Sequence, residues 1–184
     1  TFLSSFVGYG QMEAGFPAFA REVSEVSTRT IGLAFAANTA VIVGLQFLVL
    51  RVIDGRRRTR VFLGLVAMWA AAWLVLGATG LVAGTMAAAA GVIVFHVLLG
   101  IGETTLRCWQ TAHKMKVRDR GWFNAVSSGA FQGGAITAPI VAGLLLDREL
   151  AGVFIGLIIG CLGGVALLAL ALERRISPEV NGVR

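Results

Sequence analysis

The amino-acid sequence predicts an all-α integral membrane protein with six membrane-spanning helices. Of its 184 residues, 57% are apolar and only 14% are charged, whereas an average soluble domain has about 25% charged residues. The charges are also confined to short segments. Four uncharged stretches between them reach or exceed the ~20 residues that a helix needs to cross a bilayer: 30–50, 61–102, 121–146 and 150–172.

The individual spans follow from the lengths of these stretches. The stretch 61–102 is long enough for two crossings, and its interior holds the weak helix-forming patch Gly80 to Thr85, which predicts a turn between two helices. The first 19 residues are apolar except for Glu13. The predicted spans are therefore about 1–19, 31–50, 61–78, 86–105, 122–146 and 151–172, followed by a polar tail at 176–184.

The loop charges predict how the spans are oriented. Loops 51–60 and 106–121 each carry four more basic than acidic residues, and the C-terminal segment carries one more. The segments 13–30 and 147–150 each carry one excess acidic residue. Basic loops stay in the cytoplasm during insertion. We therefore expect a multi-pass cell-membrane protein with both basic loops and the C-terminus in the cytoplasm.

Several functional classes are not expected. The basic residues flank apolar spans and are not interleaved with exposed aromatic residues, so the pattern does not favour nucleic-acid binding. Of the candidate catalytic groups, Glu13 lies on the first span and His96 and Glu103 lie on the fourth, and no His-x-x-x-His or Ser-His set is present, which argues against an enzyme. No phosphate-binding loop sequence or metal-ligand spacing is present, so no cofactor is expected.

A short internal repeat suggests how the spans are arranged. The sequence Val-Phe-Leu-Gly-Leu at 61–65 recurs as Val-Phe-Ile-Gly-Leu at 153–157, an offset of half the chain. Two units of three spans each would be inverted relative to one another, as in many transporters. A chance match of common apolar residues is the alternative.

Three segments resemble motifs of the major facilitator superfamily. The loop containing Asp54 resembles the family's cytoplasmic motif Gly-x-x-x-Asp-Arg-x-Gly-Arg-Arg, although Leu50, Gly55 and Arg57 replace its Gly, Arg and second Gly. The segment from Gly100 to Glu103, together with 120–128, is similar to the family's fourth-to-fifth connection. The fifth span, 133–143, resembles its Gly-x-x-x-Gly-Pro-x-x-Gly helix, with an alanine in place of the second glycine.

The resemblance implies a function and a missing partner. It implies half of a twelve-helix secondary transporter that moves a small solute by alternating access, with protons as the coupling ion and efflux as one direction. The degenerate loop motif and a first span already under way at Thr1 favour the C-terminal half, with the N-terminal half as its partner, although the chain could itself be the N-terminal half. The competing functions are a six-helix channel and an oligomerising membrane module.

The first span carries the first candidate contacts. The resemblance makes Tyr9, Gln11 and Glu13 candidates for binding the substrate or a proton, because the first helix of each family half lines the central cavity. An ionisable group at membrane depth supports this reading. Close packing on the neighbouring glycines, with Glu13 at the lipid–water boundary, is the alternative.

Two further polar residues lie inside spans. Asn38 of the second span is expected to hydrogen-bond to another helix. His96 is the only ionisable side chain within 61–102. Because histidine titrates near neutral pH, it is a candidate proton carrier, and a neutral histidine hydrogen-bonded to a neighbouring helix is the alternative.

Charges at the cytoplasmic ends suggest a conformational latch. By resemblance, Asp54 with Arg56 and Arg58 would contact a helix end in the other half and release it as the halves rock. Glu103 and Arg107 are four residues apart, so a helical gating ion pair could form. The basic connector that follows is also expected to meet anionic lipid.

Small residues in the fifth span predict close helix packing and flexing. Gly129, Gly133, Gly134 and Gly143 allow a neighbouring backbone to approach. Pro139 removes one backbone hydrogen bond and weakens the helix there. We expect this helix to move during transport.

Overall fold

A computed structural model describes residues 1–82, 84–111, 120–177 and 181, with side chains at all of these except 107–111, 120 and 123. The described residues form helices, without a β-strand among them. The first helix, α1, has three consecutive parts: α-helical Phe2–Ser5, π-helical Phe6–Gly15 and α-helical Phe16–Glu22. The others are α-helices: α2 Thr28–Ile53, α3 Arg58–Val82, α4 Thr85–Thr111, α5 Arg120–Leu146 and α6 Ala151–Glu173.

Five of the described helices, α2 to α6, are long and apolar enough to cross a membrane. The predicted all-helical, multi-pass membrane fold is thus confirmed in its coarse form. Each part of α1 is too short to meet the same criterion by itself, because the π-helix divides the span. A crossing by α1 and the inverted three-helix repeat stay predictions.

The helices extend beyond the predicted spans at several ends. Only residues 54–57 separate α2 from α3, and Gly55 has φ +68° there. α3 continues through Gly80 to Val82 and α4 begins at Thr85, so the end of α3 falls inside the predicted patch from Gly80 to Thr85. A Cβ at Gly80 would lie 2.6 Å from the Phe19 ring, so this glycine serves packing. The predicted spans are shorter because hydropathy marks only the part of a helix inside the hydrocarbon region, and a helix can extend beyond that region into water.

The helices pack in four main pairs. α1 lies against α5, α2 lies against α4, and α3 contacts both α4 and α6. Between them is a fully buried aromatic core, in which the rings of Phe16 and Phe95 stack with centroids 4.9 Å apart. Trp73 meets Phe95 and Phe154 edge-on at 4.9 and 5.9 Å. This core joins α1, α3, α4 and α6.

The π-helix in α1 accommodates an unusually close helix contact. The backbone N–H of Phe16 donates to the carbonyl oxygen of Gln11, five residues earlier. A Cβ added at Gly10 would lie 2.5 Å from Cβ of Ala138. Gly8, Gly10 and Gly15 lower the intrinsic helix stability of this segment, and the structure has a wide but continuous helix here, of a kind often found at functional sites.

The C-terminal segment is tied to the start of α3. The side-chain oxygen of Asn181 accepts a hydrogen bond from the backbone N–H of Thr59 at 3.0 Å, and its backbone oxygen accepts one from Arg58 at 2.9 Å. Glu173 lies 3.3 Å from Arg57. Asn181 thus satisfies two of the N–H groups that a helix start leaves without a partner.

Candidate solute cavity

A cavity of about 440 Å³ lies among α1, α3, α4 and α5. Its lining extends from the predicted cytoplasmic ends of these helices to about their middle. Four aromatic rings contribute: Tyr9, Phe62, Trp69 and Phe131. The remaining lining residues are Thr1, Ser4, Ser5, Gly8, Met12, Leu99, Glu103 and Leu106. The volume is within the range of small-molecule sites, about 300–1,000 Å³.

Trp69 forms the fixed wall of the cavity. Its indole N–H donates to the carbonyl oxygen of Leu99 at 3.3 Å, and the residue is 4% exposed. A Cβ added at Gly8 would overlap the ring, and one at Gly102 would lie 2.5 Å from the ring nitrogen. Two glycines from two helices therefore hold the indole between α1 and α4, since neither position has room for a larger residue.

Tyr9 borders the cavity, and further polar side chains are exposed on α1 and α5. Its ring lies 5.1 Å from that of Phe131, and it is 48% exposed. Glu13 is also exposed on α1, and Ser128 and Gln132 are exposed on α5. We call Tyr9, Glu13, Ser128 and Gln132 the polar strip. Lipid tails cannot hydrogen-bond to these groups, so the strip is suited to water or to another protein surface.

Glu13 lies deep in the helix rather than at its end. α1 continues through Pro17 to Glu22, so nine residues follow Glu13, which is about 13 Å of helix at 1.5 Å per residue. Glu13 is not among the residues that line the cavity. Its carboxylate therefore lies on the open side of α1, farther along the helix than Tyr9.

Glu103 is the carboxylate that lines the cavity itself. It is partly exposed and lies near the end of α4. The predicted partner, Arg107, is in the same helix, but its side chain lies outside the described residues. The predicted gating ion pair therefore stays a prediction.

Gln11 points away from the cavity. It is fully buried, and its side-chain nitrogen donates to the carbonyl oxygen of Ala138 at 3.2 Å. Its side-chain oxygen has no hydrogen-bond partner among the described residues. This contact joins α1 to α5, which is the packing alternative that the sequence left open.

Asn38 and His96 also lie within the bundle. The Asn38 side-chain nitrogen donates to the backbone oxygen of His96 at 3.1 Å, so the contact joins α2 to α4. His96 is fully buried among Phe16, Phe35 and Phe95, with ring centroids 4.3 to 5.1 Å away. Neither ring nitrogen has a partner within the described part of the chain. The expected side-chain bond from His96 to a neighbouring helix is therefore absent there, and no described side chain links the imidazole to the cavity.

The glycines of α5 divide into two groups. Gly134 is buried, and a Cβ there would lie 2.8 Å from two backbone atoms of α1, Phe2 O and Phe6 N. A Cβ added at Gly133 would lie 3.3 Å from the Phe2 ring. Added Cβ atoms at Gly129 and Gly143 would meet nothing within 4 Å. Pro139 is exposed within the helix. Only part of the predicted packing stripe therefore contacts α1.

The proposed latch residues lie at the α2–α3 link. Asp54 and Arg56 are exposed, and neither side chain has a hydrogen bond or ion pair with another described residue. Arg58 starts α3, where its backbone is held by Asn181. The geometry leaves Asp54 accessible to another surface, and the latch stays a prediction.

Sequence reasoning missed the aromatic lining. Phe62 and Trp69 are seven residues apart on α3, which places them on one helical face, but the sequence does not show which face of an apolar helix turns inward. Phe131 lies between Gly129 and Gly133, and the sequence pattern there indicated only helix packing. Comparison with protein-family models, with curated proteins and with solved structures found no match.

Proposed function

We propose that this chain is one six-helix half of a secondary transporter, which moves a small solute by alternating access with coupled protons. The observation that carries the proposal is the polar strip beside the cavity. A carboxylate and a phenol are exposed on α1, and a hydroxyl and an amide are exposed on the adjacent α5, within largely apolar helices. Exposure to lipid would be costly for Glu13, about 2.5 kcal/mol or more for a carboxylate near a helix centre.

The one-sided cavity supports alternating access rather than a pore. Its lining residues run from one end of the bundle to the middle, where Met12 and Trp69 lie. Beyond it lie Phe16, Trp73 and Phe95, whose side chains are fully buried. A channel needs a continuous wet path, whereas a transporter needs a site that is closed on one side at a time. The arrangement within the described residues fits the second requirement.

The helix pairing supports two related three-helix units. Exchanging the first three helices for the last three maps α1 onto α4, α2 onto α5 and α3 onto α6. The contact of α1 with α5 then corresponds to that of α4 with α2, and the contact of α3 with α6 maps onto itself. The match is partial, because α3 packs on α4 much more extensively than α6 packs on α1. Inverted repeats of this kind are common in transporters.

Each group has a part in the proposed mechanism. Solute binds against the aromatic walls formed by Trp69, Phe62 and Phe131, and Tyr9 supplies a hydrogen-bonding group. Glu13 takes up and releases the proton, because it lies in the strip that a second six-helix unit would cover. Glu103 closes the cytoplasmic end. The proposed direction of transport is efflux. The second six-helix unit would complete the path of the solute across the membrane.

A solute-driven proton flux tests this proposal. The complete polypeptide encoded by the gene would be reconstituted in liposomes that contain a pH-sensitive dye, and a panel of small organic solutes would be added as gradients. The proposal expects at least one solute to move protons with no steady ion conductance. The competing channel function is favoured instead by a conductance in planar bilayers that needs no solute.

A further inference from the structure

A second cavity, of about 580 Å³, lies between α2 and α3 where both helices pack on α4. We call it the lipid groove. Its apolar walls include Leu45, Leu48 and Val52 of α2 and Gly64 and Met68 of α3, with Ile101 of α4 at its floor. It is separate from the solute cavity, and it opens sideways between the helices.

The mouth of the groove is basic. Arg56, Arg57 and Arg60 line it at the link between α2 and α3. Two acidic residues are nearby: Asp54 in the same link, and Glu173, which lies 3.3 Å from Arg57 and 3.9 Å from Arg60. Arg56 has no ion-pair partner among the described residues. The Arg60 side chain remains 71% exposed. The mouth therefore keeps excess positive charge that is available to an anion.

The dimensions match one leaflet of a bilayer. From Leu45 to Ile53 the wall of the groove is about 12 Å long at 1.5 Å per residue, and the hydrocarbon of one leaflet is about 15 Å thick. The arginines lie in the loop that the sequence predicts to be cytoplasmic, which places the mouth at headgroup level. An acyl chain would thus lie along the groove while its phosphate meets the arginines.

We propose that the lipid groove is a binding site for one anionic phospholipid. Charge complementarity favours an anionic headgroup over a neutral one, because basic residues near the cytoplasmic surface attract anionic lipid. The apolar walls can be filled only by an acyl chain, so a free phosphate would contact only the arginines at the mouth. The bound lipid would hold the ends of α2 and α3 together where the structure leaves them apart.

Native mass spectrometry of the purified full chain in detergent can test this site. Phosphatidylglycerol and phosphatidylcholine with identical acyl chains would be titrated separately, and glycerol phosphate would serve as the headgroup alone. The proposal expects phosphatidylglycerol to bind as a single molecule and more tightly than phosphatidylcholine. Equal binding of the two lipids, or equal binding of glycerol phosphate, would overturn it.

Two pairs of variants separate a defined site from general attraction. Replacing Arg56 and Arg60 together by Gln is expected to weaken phosphatidylglycerol binding about 25-fold, or about fivefold for each arginine. Arg51→Gln is the matched control, because Arg51 is basic and exposed in the last turn of α2 but does not line the groove. If Arg51→Gln weakened phosphatidylglycerol binding as much as Arg56→Gln or Arg60→Gln alone, the proposal would be overturned.

The second pair of variants tests the acyl chain. Gly64 lines the groove and has open space for a side chain, so Gly64→Leu would fill the groove without a clash. It is expected to weaken lipid binding about tenfold, as if roughly two methylene contacts were displaced. Gly160→Leu adds the same side chain in open space on α6 and should leave binding unchanged. Unchanged lipid binding in Gly64→Leu, with impaired association of a second six-helix unit, would assign the groove to that unit and overturn the proposal.

Discussion

The exposed faces of α1 and α5 differ in chemistry from the exposed face of α6. On α6 the well-exposed large side chains are all aliphatic, for example Leu157, Leu167 and Leu168, and its mean hydropathy is 2.7. On α5 the mean hydropathy is 1.5, and Ser128 and Gln132 are exposed. Both helices are long enough to cross the membrane. The comparison indicates that the exposed face of α6 is suited to lipid, whereas those of α1 and α5 also carry polar groups that lipid cannot satisfy.

The same contrast appears in how glycines are used. Many α6 glycines, such as Gly156 and Gly160, have open space beside them. On the α1–α5 side, Gly10 and Gly134 hold two backbones in direct contact. Glycines thus allow the backbones of α1 and α5 to approach each other beside the polar strip. The α6 glycines have no such packing role among the described residues.

The largest predicted effect follows from the close contact of α5 with α1. Gly134→Leu is expected to abolish transport and to destabilise the protein by about 3 kcal/mol, because overpacking against a backbone cannot be relieved by rotating a side chain. Gly143→Leu is the control, since it makes the same change on the same helix in open space. Thermal unfolding in detergent and the proton-flux assay would measure both. Equal effects of the two variants would contradict the assigned packing.

The next prediction compares the two faces directly. Leu167→Arg on α6 is expected to cost about 2.5 to 3.5 kcal/mol of insertion free energy at most, because a guanidinium would face lipid. Gln132→Arg on α5 should cost less than about 1 kcal/mol, because the polar strip is expected to face water or protein. The inserted fraction of each helix, measured by glycosylation mapping, reports this difference. Similar costs for the two positions would remove the contrast between the faces.

A smaller effect is expected from the carboxylates. Glu13→Gln should lower solute-driven proton flux about tenfold, because an amide cannot exchange the proton that a general acid–base group carries. Glu22→Gln is the control, since Glu22 is exposed at the end of the same helix. Solute binding without a pH gradient should be nearly unchanged in both. Proton flux that survives in Glu13→Gln would remove Glu13 from the coupling mechanism.

The helices could be predicted from the sequence because hydropathy and charge follow directly from what lipid can solvate. Predicted spans such as 122–146 and 151–172 fall within α5 and α6. The walls of the cavity could not be predicted, because Trp69 and Phe62 lie on an apolar helix whose inward face depends on its neighbours. Gln11 shows the same limit: it is polar and close to Tyr9 in sequence, yet it is fully buried against α5.

The central claim is that the polar strip meets water, along the path that a second six-helix unit would complete, while α6 faces lipid. The most direct test introduces single cysteines by Gln132→Cys and Leu167→Cys, in a background where Cys108 and Cys161 are replaced by serine. A membrane-impermeant, thiol-reactive reagent is then applied to inside-out vesicles. We expect the cysteine at 132 to be labelled at least about tenfold faster than the one at 167, because reagent dissolved in water reaches only solvated positions. Equal labelling, or faster labelling at 167, would contradict the account.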